Sequence, residues 1–162
     1  MQTKTIFLLF LINLLLSACQ SVAPTSGVNT AIPLHENAVI FTREYAEGAN
    51  ISALYNVENF NTPDSDDVMA LENKLPAYLR ENANQFSDAP YPWDSFDKYQ
   101  RQYVSYEENG KEMIYGNFFC DSSDLDWTVN FIEIEDGGEC YFQIRYDVES
   151  GTFTELRVNG ES

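Results

Sequence analysis

The spacing of apolar residues divides this chain into stretches of different period. Residues 6–16 are apolar at every position except Asn13. A helix needs about 20 apolar residues to cross a hydrocarbon core, so this run is too short to span and suits the apolar region of a signal peptide. Residues 20–33 have no period; they are small, uncharged and rich in Ser, Thr, Ala and Pro. They read as a flexible tether reaching on the order of 20 Å. Residues 34–62 carry a weak pattern. Residues 38–41 (AVIF) read as a short strand, and Ile51, Leu54 and Tyr55 have helical spacing. From Asp64 the period becomes 3.6, with Val68, Leu71, Leu75, Tyr78 and Leu79 on one stripe. The acidic cluster Asp64-Ser-Asp-Asp67 supplies an N-cap and complements the helix dipole. Pro76 falls inside the stripe and predicts a kink or a split there.

Ala89-Pro-Tyr-Pro-Trp-Asp94 ends the helical pattern, and the period then becomes two. Strands are predicted at 99–107, 112–120, 127–135, 140–148 and 153–158. Asn109-Gly110 joins the first two as a tight hairpin, because both residues tolerate positive φ. That turn sets a register in which Tyr106 faces Met113, Val104 faces Tyr115, Tyr103 faces Gly116 and Tyr99 faces Cys120. The ring of Tyr103 is expected to cover the gap at Gly116. Asp136-Gly-Gly138 and Glu149-Ser-Gly151 mark later turns. In 140–148, Cys140, Phe142, Ile144, Tyr146 and Val148 point one way, and Tyr141, Gln143, Arg145 and Asp147 the other. Segment 127–135 does not alternate, which predicts a bulge near Phe131 or burial on both faces. The expected fold class is α+β, with one main helix packed on an antiparallel sheet of four to five strands. Cystatin-like folds share this order of elements, a likeness of fold that carries no function.

Leu16-Ser17-Ala18-Cys19 follows the apolar run and resembles the lipobox of bacterial lipoproteins. The resemblance implies cleavage before Cys19 and lipid on its sulfur and new N-terminus, an anchor of several acyl chains. Gln20, rather than Asp, implies by the same resemblance the periplasmic face of the outer membrane. The expected organisation is therefore a signal peptide at 1–18, a lipidated N-terminus and tether at 19–33, and a single α+β domain at 34–162.

Composition narrows the function classes. The chain has 9 basic and 26 acidic side chains, a net charge of −17. Cleavage removes only Lys4 from that count and makes the charge more negative still. Such a surface repels nucleic acid and anionic headgroups, so no nucleic acid partner is expected. The single histidine, His35, lies beside the tether, a poor position for nucleophilic catalysis. No zinc spacing, phosphate loop or nucleophile elbow is present, and no metal or cofactor is expected. Asp121, Asp124 and Asp126 read as a turn rich in Asp and Ser.

With Cys19 lipidated, Cys120 and Cys140 remain. An oxidising compartment favours a disulfide between them. A simple meander opposes it, since an intervening strand at 127–135 would hold them roughly 25 Å apart, beyond the reach of a bond. Either the thiols are free or the strands do not run as a meander. Aromatic residues crowd the region from Tyr91 to Tyr106, and Tyr91, Trp93, Arg101 and Tyr103 form a candidate binding patch beside the Pro-flanked loop.

Several short motifs, Tyr99-Gln-Arg-Gln-Tyr103, Ile114-Tyr-Gly-Asn-Phe-Phe-Cys120, Trp127, Asp136-Gly-Gly-Glu-Cys-Tyr-Phe142 and Val158-Asn-Gly-Glu161, resemble a group of small uncharacterised bacterial proteins, many of them assigned as lipoproteins. The resemblance covers 97–162 and brings no activity. It implies that the two cysteines and the Asp-Gly-Gly turn belong to the fold. The leading expectation is a non-enzymatic binding module of the cell envelope with a protein or other envelope partner. The alternative is an envelope hydrolase, or an accessory to one, using paired carboxylates.

Overall fold

The structure, a computed structural model, describes residues 31–57, 59–87, 91–122 and 125–160. The expected signal peptide, Cys19 and most of the tether lie outside the described residues. The seven strands are β1 (Ala31–His35), β2 (Ala38–Phe41), β3 (Phe60–Asn61), β4 (Gln100–Glu108), β5 (Lys111–Phe119), β6 (Tyr141–Asp147) and β7 (Thr152–Val158). The helices are α1 (Arg43–Gly48) and α2 (Ser65–Glu81).

Helix α2 follows from its sequence. Asp64 caps it by accepting from the backbone N–H of Asp66 at 2.8 Å, with Asp66 and Asp67 in the first turn and Arg80 in the last. Val68, Leu71, Leu75 and Leu79 are fully buried, each contributing about 1.5–3 kcal/mol. The expected split at Pro76 does not occur: the helix runs through it. Proline there leaves the Glu72 carbonyl without its helical donor.

The sheet corrects the expected fold. It is mixed and seven-stranded, in the order β1-β2-β4-β5-β6-β7, with β3 sharing the outer edge of β4 beside β2. It is not an antiparallel sheet of four to five strands. Strand β2 runs parallel to β4, Val39 opposite Gln102, and a parallel pair needs a long crossover, here the segment holding α1, β3 and α2. All four residues of β2 are buried, so no alternation marks which sheet neighbour it takes. Strand β1 begins at Ala31, opposite Phe41. The last three residues of the expected tether, Ala31 to Pro33, are therefore sheet. Pro33 on β1 and a register shift between Arg145 and Tyr146 opposite β7 interrupt the two edges, devices that discourage further strand pairing.

Around the Asn109-Gly110 turn, with φ of 55° and 76°, Tyr106 pairs with Met113, Val104 with Tyr115 and Tyr103 with Gly116. The gap at Gly116 is filled differently from expectation. A Cβ there would stand 2.8 Å from Phe118 Cε2 and 3.1 Å from Ile144 Cδ1, so Phe118 and Ile144 occupy the space assigned to Tyr103. Phe118 in turn stacks on Phe142, with centroids 4.6 Å apart.

Strands β4 and β5 are buried on both faces. One face packs under α2 through Tyr103, Ile114 and Phe118, with Ile144 of β6 beside them. The other packs under α1 and residues 51–57 through Val104, Tyr106, Met113 and Tyr115. The predicted strand at 127–135 is absent: the segment is irregular chain laid over the second face. Its backbone is held by side chains. Gln102 Nε2 donates to the carbonyls of Trp127 and Asn130, both at 2.7 Å, and its Oε1 accepts from Ile132 N–H at 2.9 Å. Asn117 Nδ2 donates to the Ile132 carbonyl at 2.7 Å. These amides supply the pairing that a neighbouring strand would give, which is why the segment shows no period of two.

That arrangement removes the obstacle to a disulfide. With no strand between them, β5 and β6 are antiparallel neighbours, Phe119 opposite Tyr141. Cys120 and Cys140 then flank the same end of the pair with Cα atoms 5.2 Å apart, and they are bonded.

Candidate functional site

The register of β5, β6 and β7 builds a polar floor on the sheet face that α2 does not cover. Tyr115, Arg145 and Glu155 form one row across the three strands, and Asn117, Gln143 and Arg157 the next. Alternation places each of these side chains on the same face. One wall is the stretch around Ser52 to Val57 and the other is Phe131 to Glu135. Glu133 ties the walls together, its Oε1 accepting from Ser52 N–H and Oγ at 2.7 Å each.

Arg145 crosses the resulting trench. Its Nη1 lies 3.2 Å from Glu108 Oε1, its Nη2 donates to the Ala53 carbonyl at 3.3 Å, and its guanidinium sits over the Tyr106 ring. Its Nε lies 2.8 Å from Glu155 Oε2 but is not aligned to donate to it. On one side is a compartment of about 130 Å³, lined in part by Tyr115, Asn117, Gln143, Arg157 and Asn159. On the other is one of about 210 Å³, lined by Leu54, Tyr55, Val57 and Glu107 among others. A smaller space of about 60 Å³ lies between Ala53, Tyr115, Arg145 and Arg157.

The charges in the trench are mixed. Arg145 and Arg157 stand among Glu107, Glu108, Glu133, Glu135 and Glu155. Burial pushes the Tyr115 phenol far above its ordinary value, so its hydroxyl is a neutral donor at any physiological pH. Tyr55 is 78% exposed at the lip of the larger compartment.

A second polar cluster lies under α2. Glu72 Oε1 accepts from Tyr103 Oη at 2.6 Å; its Oε2 lies 3.1 Å from Arg101 Nη1 and 3.0 Å from His35 Nε2. Asn37 N–H approaches His35 Nδ1 at 3.4 Å, and Arg101 Nη1 lies 3.1 Å from His35 Nε2. Burial, and next the Glu72 charge, push the Tyr103 hydroxyl well above its ordinary pKa. Arg101 also donates to the Tyr99 and Phe96 carbonyls and stacks on the Phe96 ring. Both carboxylate oxygens of Glu72 are engaged, so the cluster fastens β1 and β4 to α2.

Compared with protein-family models, with curated proteins and with solved structures, this chain matches none. Its function is therefore argued from its own geometry. The candidate patch of Tyr91, Trp93, Arg101 and Tyr103 does not form one surface. Arg101 is 5% exposed and Tyr103 0%, both committed to Glu72. Tyr91 and Trp93 stack on each other at 4.6 Å and pack half-buried against the core under α2. Asp126 accepts from Thr128 N–H and Oγ1, closing a turn. No group of three His, Cys, Asp or Glu suited to a metal occurs among the described residues.

The trench residues escaped the sequence reading. In the sequence Gln143 and Arg145 share the more polar parity of their strand, opposite Phe142 and Ile144, and nothing there says what covers it. Extending the hairpin register by one strand would have aligned Tyr115 with Arg145 and Asn117 with Gln143. That step needed the knowledge that β6, not 127–135, lies beside β5.

Proposed function

We propose that this chain is a lipid-anchored, non-enzymatic binding module of the cell envelope, which takes its ligand in the trench over β5, β6 and β7. The observation that carries the binding site is Arg157: a guanidinium that lines two of the three trench spaces beside Tyr115 and Gln143 and makes no hydrogen bond or ion pair among the described residues, whereas Arg145 next to it is paired with Glu108 and the other unpaired cations, Arg80 and Lys98, line none of these spaces. A charged side chain set in a cleft and unused by the fold is available to a ligand. The lipobox Leu16-Ser17-Ala18-Cys19 supports the anchor, and Gln20 after it supports the outer-membrane address. No helix among the described residues is long and apolar enough to cross a membrane, so no second attachment is invoked.

Two measurements test the two halves. Metabolic labelling with a palmitate analogue is expected to mark the wild-type chain and not Cys19→Ser. An unmodified N-terminus in the mass spectrum of the mature protein would refute the anchor. A photo-crosslinking amino acid at Ala53, which lines all three spaces of the trench, is expected to yield an adduct in intact cells, and one at exposed Glu149 to yield none. Equal yields at the two positions would refute the trench as the binding site.

A further inference from the structure

We propose that the trench binds a neutral saccharide, with one pyranose ring in each of the two compartments that Arg145 separates. The inference rests on the reading of the trench as the binding site and adds the class of ligand. Size comes first. Both compartments, of about 130 Å³ and 210 Å³, open to solvent, so a pyranose, bulkier than the benzene ring that a closed cavity of about 150 Å³ accepts, need seat only one face in each.

Charge excludes the simpler alternatives. An anionic group would meet Arg157 but also Glu133, Glu135 and Glu155, which line the same spaces, on a chain of net charge −17. A compact cation would find Glu108 and Glu155 already beside Arg145, Glu133 bonded to Ser52, and Arg157 opposing it. A sugar hydroxyl both donates and accepts, so it is satisfied by a floor that alternates the two. Arg157 and the Tyr115 hydroxyl donate, the Gln143 amide does either, and Glu135 accepts. Planar amide, guanidinium and carboxylate groups also present two polar atoms at once, the spacing that adjacent hydroxyls require.

The larger compartment adds an aromatic surface. Tyr55 is 78% exposed at its lip, with Leu54 and Val57 beside it. The C–H face of a pyranose is apolar and covers an aromatic ring while its hydroxyls stay wet. Glu107 and Glu108 on the opposite side then accept from those hydroxyls.

Purified full-length protein labelled with nitrogen-15 is titrated with maltotetraose and chitotetraose, and separately with trigalacturonic acid and tetralysine. The reporters are the side-chain amide signals of Asn117 and Gln143. At least one neutral tetrasaccharide is expected to shift them saturably. Arg157→Met and Tyr55→Ala are each expected to weaken that binding about tenfold, the loss of one charge-assisted or stacking contact, with no change in melting temperature. If trigalacturonic acid or tetralysine shifts the signals and the neutral sugars do not, the saccharide class is overturned and the trench reading stands. If no probe moves them, or if both variants bind a sugar as the wild type does, the saccharide proposal is overturned. The trench reading itself is judged separately by the crosslinking yields at positions 53 and 149.

Discussion

Replacing Gln102 by leucine tests whether side-chain amides stand in for a missing strand. Gln102 is 0% exposed and holds the 127–132 segment by three bonds, to the Trp127 and Asn130 carbonyls and from Ile132 N–H. Its Oε1 also accepts from Asn117 Nδ2 at 3.2 Å. Leucine has a similar volume and none of these groups. Ile132 is 3% exposed, so its N–H would be left buried and unpaired, at about 1–3 kcal/mol. Trp127 and Asn130 are not buried, and water can reach their carbonyls. Those two bonds are worth about 0.5–1.5 kcal/mol each. The added apolar burial of leucine offsets part of the loss, leaving about 3 kcal/mol of destabilisation. Urea denaturation followed by circular dichroism measures it, and hydrogen exchange at Ile132 localises it. A loss below about 1 kcal/mol, or unchanged exchange at Ile132, would mean that the segment is held by its apolar contacts, such as Trp127 on Phe119, and not by Gln102.

Gly116→Ala is expected to destabilise the protein by about 1–3 kcal/mol, because its Cβ meets Phe118 at 2.8 Å; a melting temperature equal to wild type would show that Phe118 yields freely. Asp147 has its pKa lowered below the ordinary 3.8, first by the Lys111 hydrogen bond and then by Ser150 N–H. Its contribution is therefore present above the unfolded pKa and lost as pH falls through the lower folded value. Asp147→Asn is expected to melt lower than wild type at pH 7 and to converge with it in acid below about pH 4; a constant gap across that range would refute the linkage. Glu72→Gln leaves Arg101 buried without its counter-charge and is expected to cost about 3 kcal/mol, read by thermal melting. A neutral outcome would mean that the Tyr99 and Phe96 carbonyls satisfy the guanidinium by themselves.

Much of the local structure was legible from residue order alone. Helix α2 was written in its stripe and cap, and the β4–β5 register in Asn109-Gly110, because both depend on neighbours within a few residues. The lipobox at Cys19 and the tether are local readings that lie outside the described residues, apart from Ala31 to Pro33, which the structure places in β1. Tertiary structure decided the rest. The parallel β2–β4 pair brings together residues some sixty positions apart, Val39 and Gln102, and a strand buried throughout carries no alternation to name its partner. Segment 127–135 has the composition of a strand, yet Gln102 and Asn117 hold it as irregular chain. Once it leaves the sheet, β6 moves beside β5, Cys120 meets Cys140, and Arg145 and Gln143 become the floor of a trench. Arg101 and Tyr103 went the other way, from a candidate surface to a buried contact with Glu72. A sequence states which groups a strand presents on each face. Whether that face meets a helix, a loop or open solvent depends on the strand's neighbours, and these are chosen by packing energy summed over the whole sheet.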